Sequence, residues 1–489
     1  MSRRFLNLDA PQATALLLGL ITLLHLAAGA RVGLSGDASH YALYGAKLAW
    51  SYFDHPPMIG WLQATVEPFS TANLALRLWP IALGTLSGAA LYRLARRLYP
   101  ERTPWLGFVA VAVMQSAVIL SLMGISMLPD DPLLLFFLLA AGALHRTLIE
   151  DEPRAWLWVG LWFGLAGLSK YTAVALVFSA IWLVISERRW AHLRTRWPWL
   201  GILIALVAIL PVLGWNAAHD WVSFRYQILH VSDPDRHWQL MHFVKSQLIQ
   251  FFSYSPGIYL FGLIALVHAL RRRDDPRNRL LLAMTVPVFV IIDGSSGTTV
   301  SLPHWTAVAW AVLSIGIAAW LLDHWRRRTV RIGVAASGAY SVLLIGVLLS
   351  ELIHPWIPFK ANAYPLADLY GWRRAATQAE TLRAQMAATP GPRPMLYAGN
   401  WSYASHIAWY AYPQPVQITD RKMHQMTLWY GNAADGGRGI LVVPQQFHSH
   451  VPAWTAKFAR CAPAGDLPIP LEGKVATTYY FYRCEGYHG

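Results

Sequence analysis

The sequence predicts a polytopic α-helical membrane protein of about 11 spans, followed by a small extracytoplasmic α/β domain. Of its 489 residues, 55% are hydrophobic and 13% are charged. Soluble domains carry about 25% charged residues, and a soluble chain of this length divides into domains joined by polar linkers. No such linker occurs before residue 350. The composition therefore excludes a disordered chain, a disulfide miniprotein and a fibrous repeat.

A membrane-spanning helix needs about 20 mainly apolar residues. The candidate stretches are 13–30, 74–92, 105–122, 132–148, 156–169, 171–186, 198–214, 251–270, 280–293, 304–322 and 332–353. The fifth and sixth are short and meet at Ser169-Lys170-Tyr171, which predicts a hairpin that turns near the outer interface. The first stretch lacks a small-residue cleavage site, so we interpret it as a retained span and not as a signal peptide.

The net charge of +14, from 40 Lys and Arg against 26 Asp and Glu, is explained by topology. With the N-terminus in the cytoplasm, the cytoplasmic segments hold 21 Lys and Arg, whereas the outward segments before residue 354 hold seven. This bias follows the positive-inside rule, and it argues against nucleic acid as a partner. An odd number of spans then leaves the C-terminus outside.

The predicted domains are a transmembrane catalytic domain, 1–353, with outward loops 31–73 and 215–250, and an extracytoplasmic α/β domain, 354–489. Short apolar runs separated by Gly and Pro turns indicate the second domain. Its Cys461 and Cys484 are the only cysteines of the chain. In an oxidising compartment a disulfide is favoured over metal binding.

The first outward loop contains candidate functional residues: Asp37, Tyr41, Asp54 and His55. A carboxylate such as Asp37 at the membrane surface can act as a general base, or can orient a metal or a hydroxyl group. It can equally cap a helix that begins near Ala38. The loop alone does not decide between these interpretations.

Three charged residues stand in apolar surroundings: Asp130, Asp131 and Lys170. Ionisable groups at such positions are costly and often functional. Helix capping before Pro132 explains the presence of one aspartate well, but it does not explain two adjacent ones. Lys170, with three donors, suits a phosphate, but it can also extend its ammonium group to the interface.

Basic and aromatic residues alternate in loop 215–250, where Arg225, His230 and Lys245 can bind a phosphate head group or pair with membrane lipids. His304 stands at the start of the tenth span. Asp54, His55 and His304 are candidate ligands for a divalent metal, although a histidine satisfied by hydrogen bonds is the alternative. The sequence contains neither a P-loop nor a helix-opening GxGxxG motif. Sugar chemistry outside the cytoplasm would therefore use a lipid-linked donor.

Taken in order, these segments resemble the bacterial GT-C membrane glycosyltransferases. The closest group is glycosyltransferase family 39, the dolichyl-phosphate-mannose–protein mannosyltransferase-like enzymes, together with the related lipid A aminoarabinose transferase. Where the aminoarabinose transferase pattern has Glu-Lys, this chain has Asp54-His55. The motifs are Gly36-Asp37, Phe53-Asp54-His55-Pro56-Pro57, Leu128-Pro129-Asp130-Asp131-Pro132, Gly167-Leu168-Ser169-Lys170-Tyr171, Asn216 to His230, Pro303-His304-Trp305, Asn400-Trp401-Ser402-Tyr403-Ala404 and Ile407-Ala408-Trp409-Tyr410.

The resemblance implies an inner-membrane enzyme that takes a sugar from a polyprenyl phosphate and transfers it on the periplasmic side. Asp37, with Asp130 or Asp131, would be catalytic, and Lys170, Arg225, Lys245 and His230 would bind the donor phosphate. Tyr41, Asp54, His55 and His304 would contact substrate. The expected acceptor is lipid A, lipopolysaccharide or another envelope glycan. The alternatives are a protein acceptor and, from another class, a transporter or flippase of lipid-linked sugars; the absence of an internal repeat argues against the transporter.

Overall fold

The computed structural model describes residues 8–232 and 237–489, apart from the side chains of residues 230–232. Within these residues, seven helices are long and apolar enough to cross a membrane. Two further helix pairs, bent by 74° and 110°, raise the number to nine if each pair is one span. The predicted helical membrane fold is therefore confirmed, while the count of 11 spans is not.

The α-helices are α1 (Ala10–Arg31), α2 (Gly36–Ala46), α3 (Met58–Ala64), α4 (Asn73–Leu76), α5 (Leu78–Leu98), α6 (Trp105–Ser116), α7 (Val118–Ser126), α8 (Asp130–Leu144), α9 (Trp156–Ser169), α10 (Ala175–Ser186), α11 (Trp197–Ala218), α12 (Val222–Ser232), α13 (Leu240–Ser253), α14 (Pro256–Arg271), α15 (Pro276–Ser295), α16 (Ala307–His324), α17 (Arg328–Ile353), α18 (Trp372–Ala387), α19 (Trp401–Tyr410), α20 (Gln425–Tyr430) and α21 (Val451–Thr455).

The shortfall in spans has a geometric reason. Helix α9 has 14 residues, which at 1.5 Å per residue reach about 21 Å, less than the roughly 30 Å of a bilayer core. The apolar stretch predicted at 251–270 is broken at Tyr254 and Ser255, between α13 and α14. Hydropathy reports the composition of a segment, and it does not report where the helix bends.

The chain forms two compact units, which are described separately. The helical unit contains the chain up to Ala27, Asp54–Ile59 and Arg77–Leu349. The sheet unit contains Ala28–Phe53, Gly60–Leu76 and Ser350–Gly489. Most of the first outward loop thus packs with the C-terminal residues, and the second boundary lies at 349/350.

A five-stranded sheet forms the centre of the sheet unit. Its strands are β1 (Met395–Ala398), β2 (Val416–Ile418), β3 (Gly439–Pro444), β4 (Phe458–Leu471) and β5 (Lys474–Tyr487). Their order is β2-β1-β3-β5-β4, with β1 parallel to β2 and β3, and β5 antiparallel to β3 and β4. Helix α19 connects β1 to β2 as a crossover. A disulfide joins Cys461 to Cys484, which face each other across β4 and β5.

In the helical unit, α9 and α11 approach closely through small residues. A Cβ atom added to Gly160 would lie 2.0 Å from the carbonyl oxygen of Gly201 and 2.7 Å from its Cα. One turn further along, the equivalent atom on Gly164 would lie 2.5 Å from the Cβ of Ala208. Small residues at four-residue spacing are the common means by which membrane helices bring their backbones together.

The arginines of the predicted cytoplasmic segments pair with carboxylates of the helical unit. Arg97 binds Glu150 at 2.6 Å and Arg277 binds Glu101 at 2.7 Å. The other pairs are Arg146–Glu152, Arg189–Asp151, Arg102–Asp323 and Arg279–Glu187. Because these pairs are partly exposed, each contributes at most about 1 kcal/mol.

We expect Gly160→Ala to destabilise the helical unit by about 1–3 kcal/mol, because the new methyl group meets backbone atoms that have no rotamer to change. The melting temperature of the purified protein in detergent measures this effect. Gly346→Ala is the matched control, since a Cβ at Gly346 would meet nothing within 4 Å. Equal melting temperatures for the two variants would contradict the close packing of α9 on α11.

Candidate active site

A buried ion pair joins the start of α8 to the end of α9. The Lys170 ammonium donates to Oδ1 and Oδ2 of Asp130 at 2.8 and 2.7 Å. The side chains are only 9% and 4% exposed. Helix α9 ends at Ser169, and Lys170 follows in an extended conformation. Two of its three donors are used by Asp130, which leaves the third for another acceptor.

Asp130 and Asp131 have different partners. Asp131 accepts the backbone N–H of Leu128 at 2.7 Å, which is a local contact at the start of a helix. It also lines an enclosed cavity of about 20 Å³ together with His25, Thr85 and Gln115. Of the two aspartates, Asp130 is thus the one that binds Lys170.

The backbone before this helix adopts an unusual conformation. Met127 has φ of +54°, a left-handed conformation that costs a non-glycine residue about 1–2 kcal/mol. Backbone strain of this kind concentrates at functional sites. The conformation of Met127 directs the Leu128-Pro129 segment into the first turn of α8.

His304 lies beside the ion pair. Its Nε2 is 3.9 Å from Oδ2 of Asp130, and the ring of the next residue, Trp305, lies 5.8 Å from the Lys170 ammonium. This short helical turn, Pro303–Thr306, is held by Tyr254, which donates to the Pro303 carbonyl at 2.7 Å. Thr306 donates to Gln250 at 2.9 Å. These contacts hold the turn that carries His304.

An apolar groove of about 800 Å³ runs between α9, α10 and α11. Lys170, Tyr171 and Phe224 line one end, and Trp190 and Pro198 line the other. The residues between these ends are aliphatic, aromatic or glycine. Lys170 is therefore the basic residue at one end of a long hydrocarbon-lined groove.

Asp54 and His55 belong to the helical unit and are half-buried. Nε2 of His55 is 3.9 Å from Oδ2 of Asp54, and the Asp54 carbonyl accepts the Gln227 amide at 2.7 Å. No group of three His, Cys, Asp or Glu side chains in metal-ligand geometry occurs among the described residues. The residues present thus do not fit the predicted metal site, and no chemical step is derived through a metal.

Asp37 lies in the first turn of α2, within the sheet unit, and is half-buried. The helix is capped by Ser35, whose hydroxyl accepts the N–H of Ala38 at 3.2 Å. Of the two interpretations that the sequence leaves open for Asp37, the one in which it caps the helix is therefore wrong. Tyr41, one turn further along, is 5% exposed and packs edge-on against Tyr44.

The other predicted phosphate ligands lie on surface helices. Arg225 in α12 and Lys245 in α13 are exposed. Neither makes a side-chain hydrogen bond or ion pair within the described part of the chain. The His230 side chain lies outside the described residues. Lys170 is thus the predicted phosphate ligand that contacts the buried aspartate.

Sequence reasoning missed several residues that support these groups. Gln250 and His25 interrupt apolar helices, and that interruption is a usable signal for a buried polar role. Asp368 and His406 gave no such signal, because their partners in α2 are distant in sequence. Gly36 and Asp368, for example, are 332 residues apart.

Comparison with known proteins agrees with the predicted resemblance. Residues 54–215 match the family described as dolichyl-phosphate-mannose-protein mannosyltransferase. The lipid A galacturonosyltransferase RgtD of Rhizobium johnstonii is 28% identical over 319 residues, 63% of this chain and 64% of that protein. The match thus covers slightly less than two thirds of this relative.

The fold is that of solved GT-C structures. ArnT from Cupriavidus metallidurans is 16% identical and covers 96% of this chain, with 97% of its own length matched. The TM-score is 0.57 for its apo state and 0.61 for its complex with undecaprenyl phosphate. The apo oligosaccharyltransferase of Archaeoglobus fulgidus gives 0.51 at 11% identity, over 91% of this chain and 71% of that one. The predicted GT-C fold is confirmed.

We expect Lys170→Met to cost about 3–5 kcal/mol, because it leaves the Asp130 carboxylate buried without its counter-charge. Adding Asp130→Asn should recover most of the loss, so the two changes are strongly non-additive. Chemical denaturation in detergent of Lys170→Met, Asp130→Asn and the double variant measures this coupling.

The matched control is Arg102→Met, which removes the exposed pair with Asp323 and should cost less than about 1 kcal/mol. Additive effects of the Lys170 and Asp130 changes would contradict the buried ion pair.

Proposed function

We propose that this protein is an integral membrane glycosyltransferase that moves a sugar from a polyprenyl phosphate, such as undecaprenyl phosphate, to lipid A or another envelope glycan. The observation that carries the proposal is the apolar groove that ends at Lys170. A polyprenyl-phosphate sugar has the same pattern, since a long hydrocarbon chain ends in an anionic phosphate. Burying the chain contributes roughly 25 cal/mol per Å².

Lys170 would bind the donor phosphate at the head of the groove. Asp130 holds the ammonium in place with two hydrogen bonds, and the third donor is directed to a phosphate oxygen. Neutralising the leaving phosphate lowers the barrier, because negative charge develops there in the transition state. Arg225, Lys245 and His230 are further candidates for the same phosphate in our proposal.

Transfer would be a direct displacement. The acceptor hydroxyl forms a bond to the anomeric carbon while the bond from that carbon to the phosphate oxygen breaks. The electron pair leaves with the lipid phosphate, and the acceptor proton goes to the Asp37 carboxylate. We assign Tyr41, Asp54, His55 and His304 to substrate binding, and Asp131 to support of the turn before Asp130.

The relatives support a lipid A acceptor and a polyprenyl-phosphate donor, respectively. The one named as a lipid A galacturonosyltransferase is 28% identical over 319 residues, and the solved ArnT complex contains undecaprenyl phosphate. The arginine-rich segments support a bacterial inner-membrane location with the N-terminus in the cytoplasm. We place the catalytic domain at 1–353 and a periplasmic domain at 354–489.

A protein acceptor is the second candidate, since residues 54–215 match a family named for protein mannosyltransferases. A transporter or flippase of lipid-linked sugars is the third. Both alternatives predict a different product. Protein transfer yields a glycosylated polypeptide, and transport yields an unchanged donor on the opposite leaflet.

The test uses purified protein in lipid nanodiscs with radiolabelled undecaprenyl-phosphate sugars, supplied with lipid A or with unfolded protein. We expect label in lipid A, and we expect Asp37→Asn to reduce turnover at least about 100-fold because the general base is lost. The control is Asp466→Asn, which changes an exposed carboxylate of β4. Normal turnover by Asp37→Asn would overturn the catalytic assignment, and label in protein would change the acceptor.

The groove generates a separate prediction about binding. Val177 lines the groove and is 47% exposed. Val177→Trp should therefore fill part of the groove without overpacking the core. We expect weaker binding of undecaprenyl phosphate, measured by native mass spectrometry, and unchanged binding of a short-chain isoprenyl phosphate. Val342→Trp, on the exposed face of α17, is the control. Equal loss of both ligands would contradict the groove as the tail site.

A further inference from the structure

Two helices of the sheet unit carry the same seven-residue pattern, Ala-Ser-His-x-Ala-x-Tyr. It occurs at Ala38–Tyr44 in α2 and at Ala404–Tyr410 in α19. The helices pack together, and their polar groups exchange contacts. Ser39 Oγ is 3.0 Å from His406 Nδ1, and His40 Nδ1 is 3.0 Å from Ser405 Oγ.

The contact is buried and closely packed. The four alanines of the two patterns are at most 1% exposed, as are both serines and His406. Ser405 donates its hydroxyl hydrogen to the Trp401 carbonyl, so it accepts from His40, and Nδ1 of His40 carries the proton. The contact between His40 and Ser405 therefore has a defined direction of donation.

A second set of contacts holds the start of α2. Asp368 Oδ2 accepts the Gly36 N–H at 3.4 Å and lies 3.4 Å from His406 Nε2. The His406 ring stacks on Trp372 with a centroid distance of 4.2 Å. At Gly33, an added Cβ would lie 2.0 Å from the Leu369 carbonyl oxygen. The chain before Asp37 thus lies directly against residues 368–369.

The charge of Asp368 fits this arrangement. Burial raises the pKa of this carboxyl, but the hydrogen bond and charge of His406 oppose burial. Hydrogen bonds from Gln446 and from the Gly36 N–H act in the same direction, and the pKa lies below its usual value. The carboxylate is therefore ionised at neutral pH and accepts from Gly36, His406 and Gln446. Ionised acceptors form stronger hydrogen bonds than neutral ones.

These contacts flank Asp37 on both sides. Gly36 is bound by Asp368, the N–H of Ala38 is bound by Ser35, and the Ser39 side chain is bound by His406. We propose that Asp368 and His406 are positioning residues that hold the Asp37 carboxylate for sugar transfer. This assignment rests on the proposed function, in which Asp37 is the base.

The experiment compares four variants of the full-length protein in nanodiscs. Asp368→Ala removes the contacts of the carboxylate with Gly36, His406 and Gln446, whereas Asp368→Asn retains an oxygen for the Gly36 N–H. His406→Phe retains a flat ring on Trp372 and loses both polar contacts. The matched control is Arg438→Met, because Arg438 makes four hydrogen bonds to Thr389, Pro390 and Pro392 inside the same unit.

Hydrogen exchange measured by mass spectrometry reports the helix itself. We expect Asp368→Ala and His406→Phe to accelerate exchange in residues 36–46, and Arg438→Met to leave that segment at the wild-type rate. Unchanged exchange in Asp368→Ala and His406→Phe would show that these contacts do not constrain α2, and it would overturn the proposal. This readout does not depend on transfer.

Steady-state transfer separates positioning from folding. We expect a fall in kcat of about 10- to 100-fold for Asp368→Ala and His406→Phe, with little change in the KM of the donor, because a small displacement of a reacting group costs this much. Asp368→Asn should recover part of the loss, and Arg438→Met should keep the wild-type kcat. Faster exchange with a wild-type kcat would overturn the proposal. Absence of transfer by the wild type would overturn the proposed function, and with it the role of Asp37.

Discussion

The ion pair between Lys170 and Asp130 is the contact on which the helical unit depends. An isolated charge buried among apolar helices costs several kcal/mol, so each of the two side chains requires the other. The pair joins the start of α8 to the end of α9, 40 residues later in the chain. It also requires α9 to stop at Ser169, because only then does the backbone turn Lys170 towards the aspartate. Among the described residues that line the groove between α9, α10 and α11, the same side chain is the basic one.

Much of the fold could be predicted from composition and charge alone. Hydropathy located all seven long spans, because apolar length is a property of the sequence itself. The same criterion overcounted at α9 and missed the break at Ser255, where a positive φ of 74° turns the chain. Bends and short helices depend on neighbouring elements, which hydropathy does not contain. Strands and turns after residue 390 were predictable in kind, but the mixed strand order was not.

The candidate site was predictable by residue type and not by contact. Asp130, Asp131 and Lys170 were found because charged residues in apolar surroundings are costly and often functional. The sequence does not indicate which of the two adjacent aspartates has the functional role. The structure distinguishes them, because Asp131 accepts from Leu128 nearby and Asp130 binds Lys170. Arg225 and Lys245 were selected as basic residues of an aromatic-rich outward loop, and both are exposed. A basic residue in an interfacial helix needs no buried partner, so its presence says little about where a phosphate binds.

The repeated Ser-His pattern explains why two alanine-rich helix faces meet in one register. Alanine contacts alone recur with every turn, so apolar packing would allow α2 to shift along α19 at little cost. A shift would break the Ser39–His406 and His40–Ser405 contacts, at about 1–3 kcal/mol for each buried polar group that loses its partner. The net stabilisation from the formed bonds is much smaller. We infer that the polar pairs contribute mainly to the position of α2 and only modestly to stability. That is the property that a helix carrying Asp37 in its first turn requires.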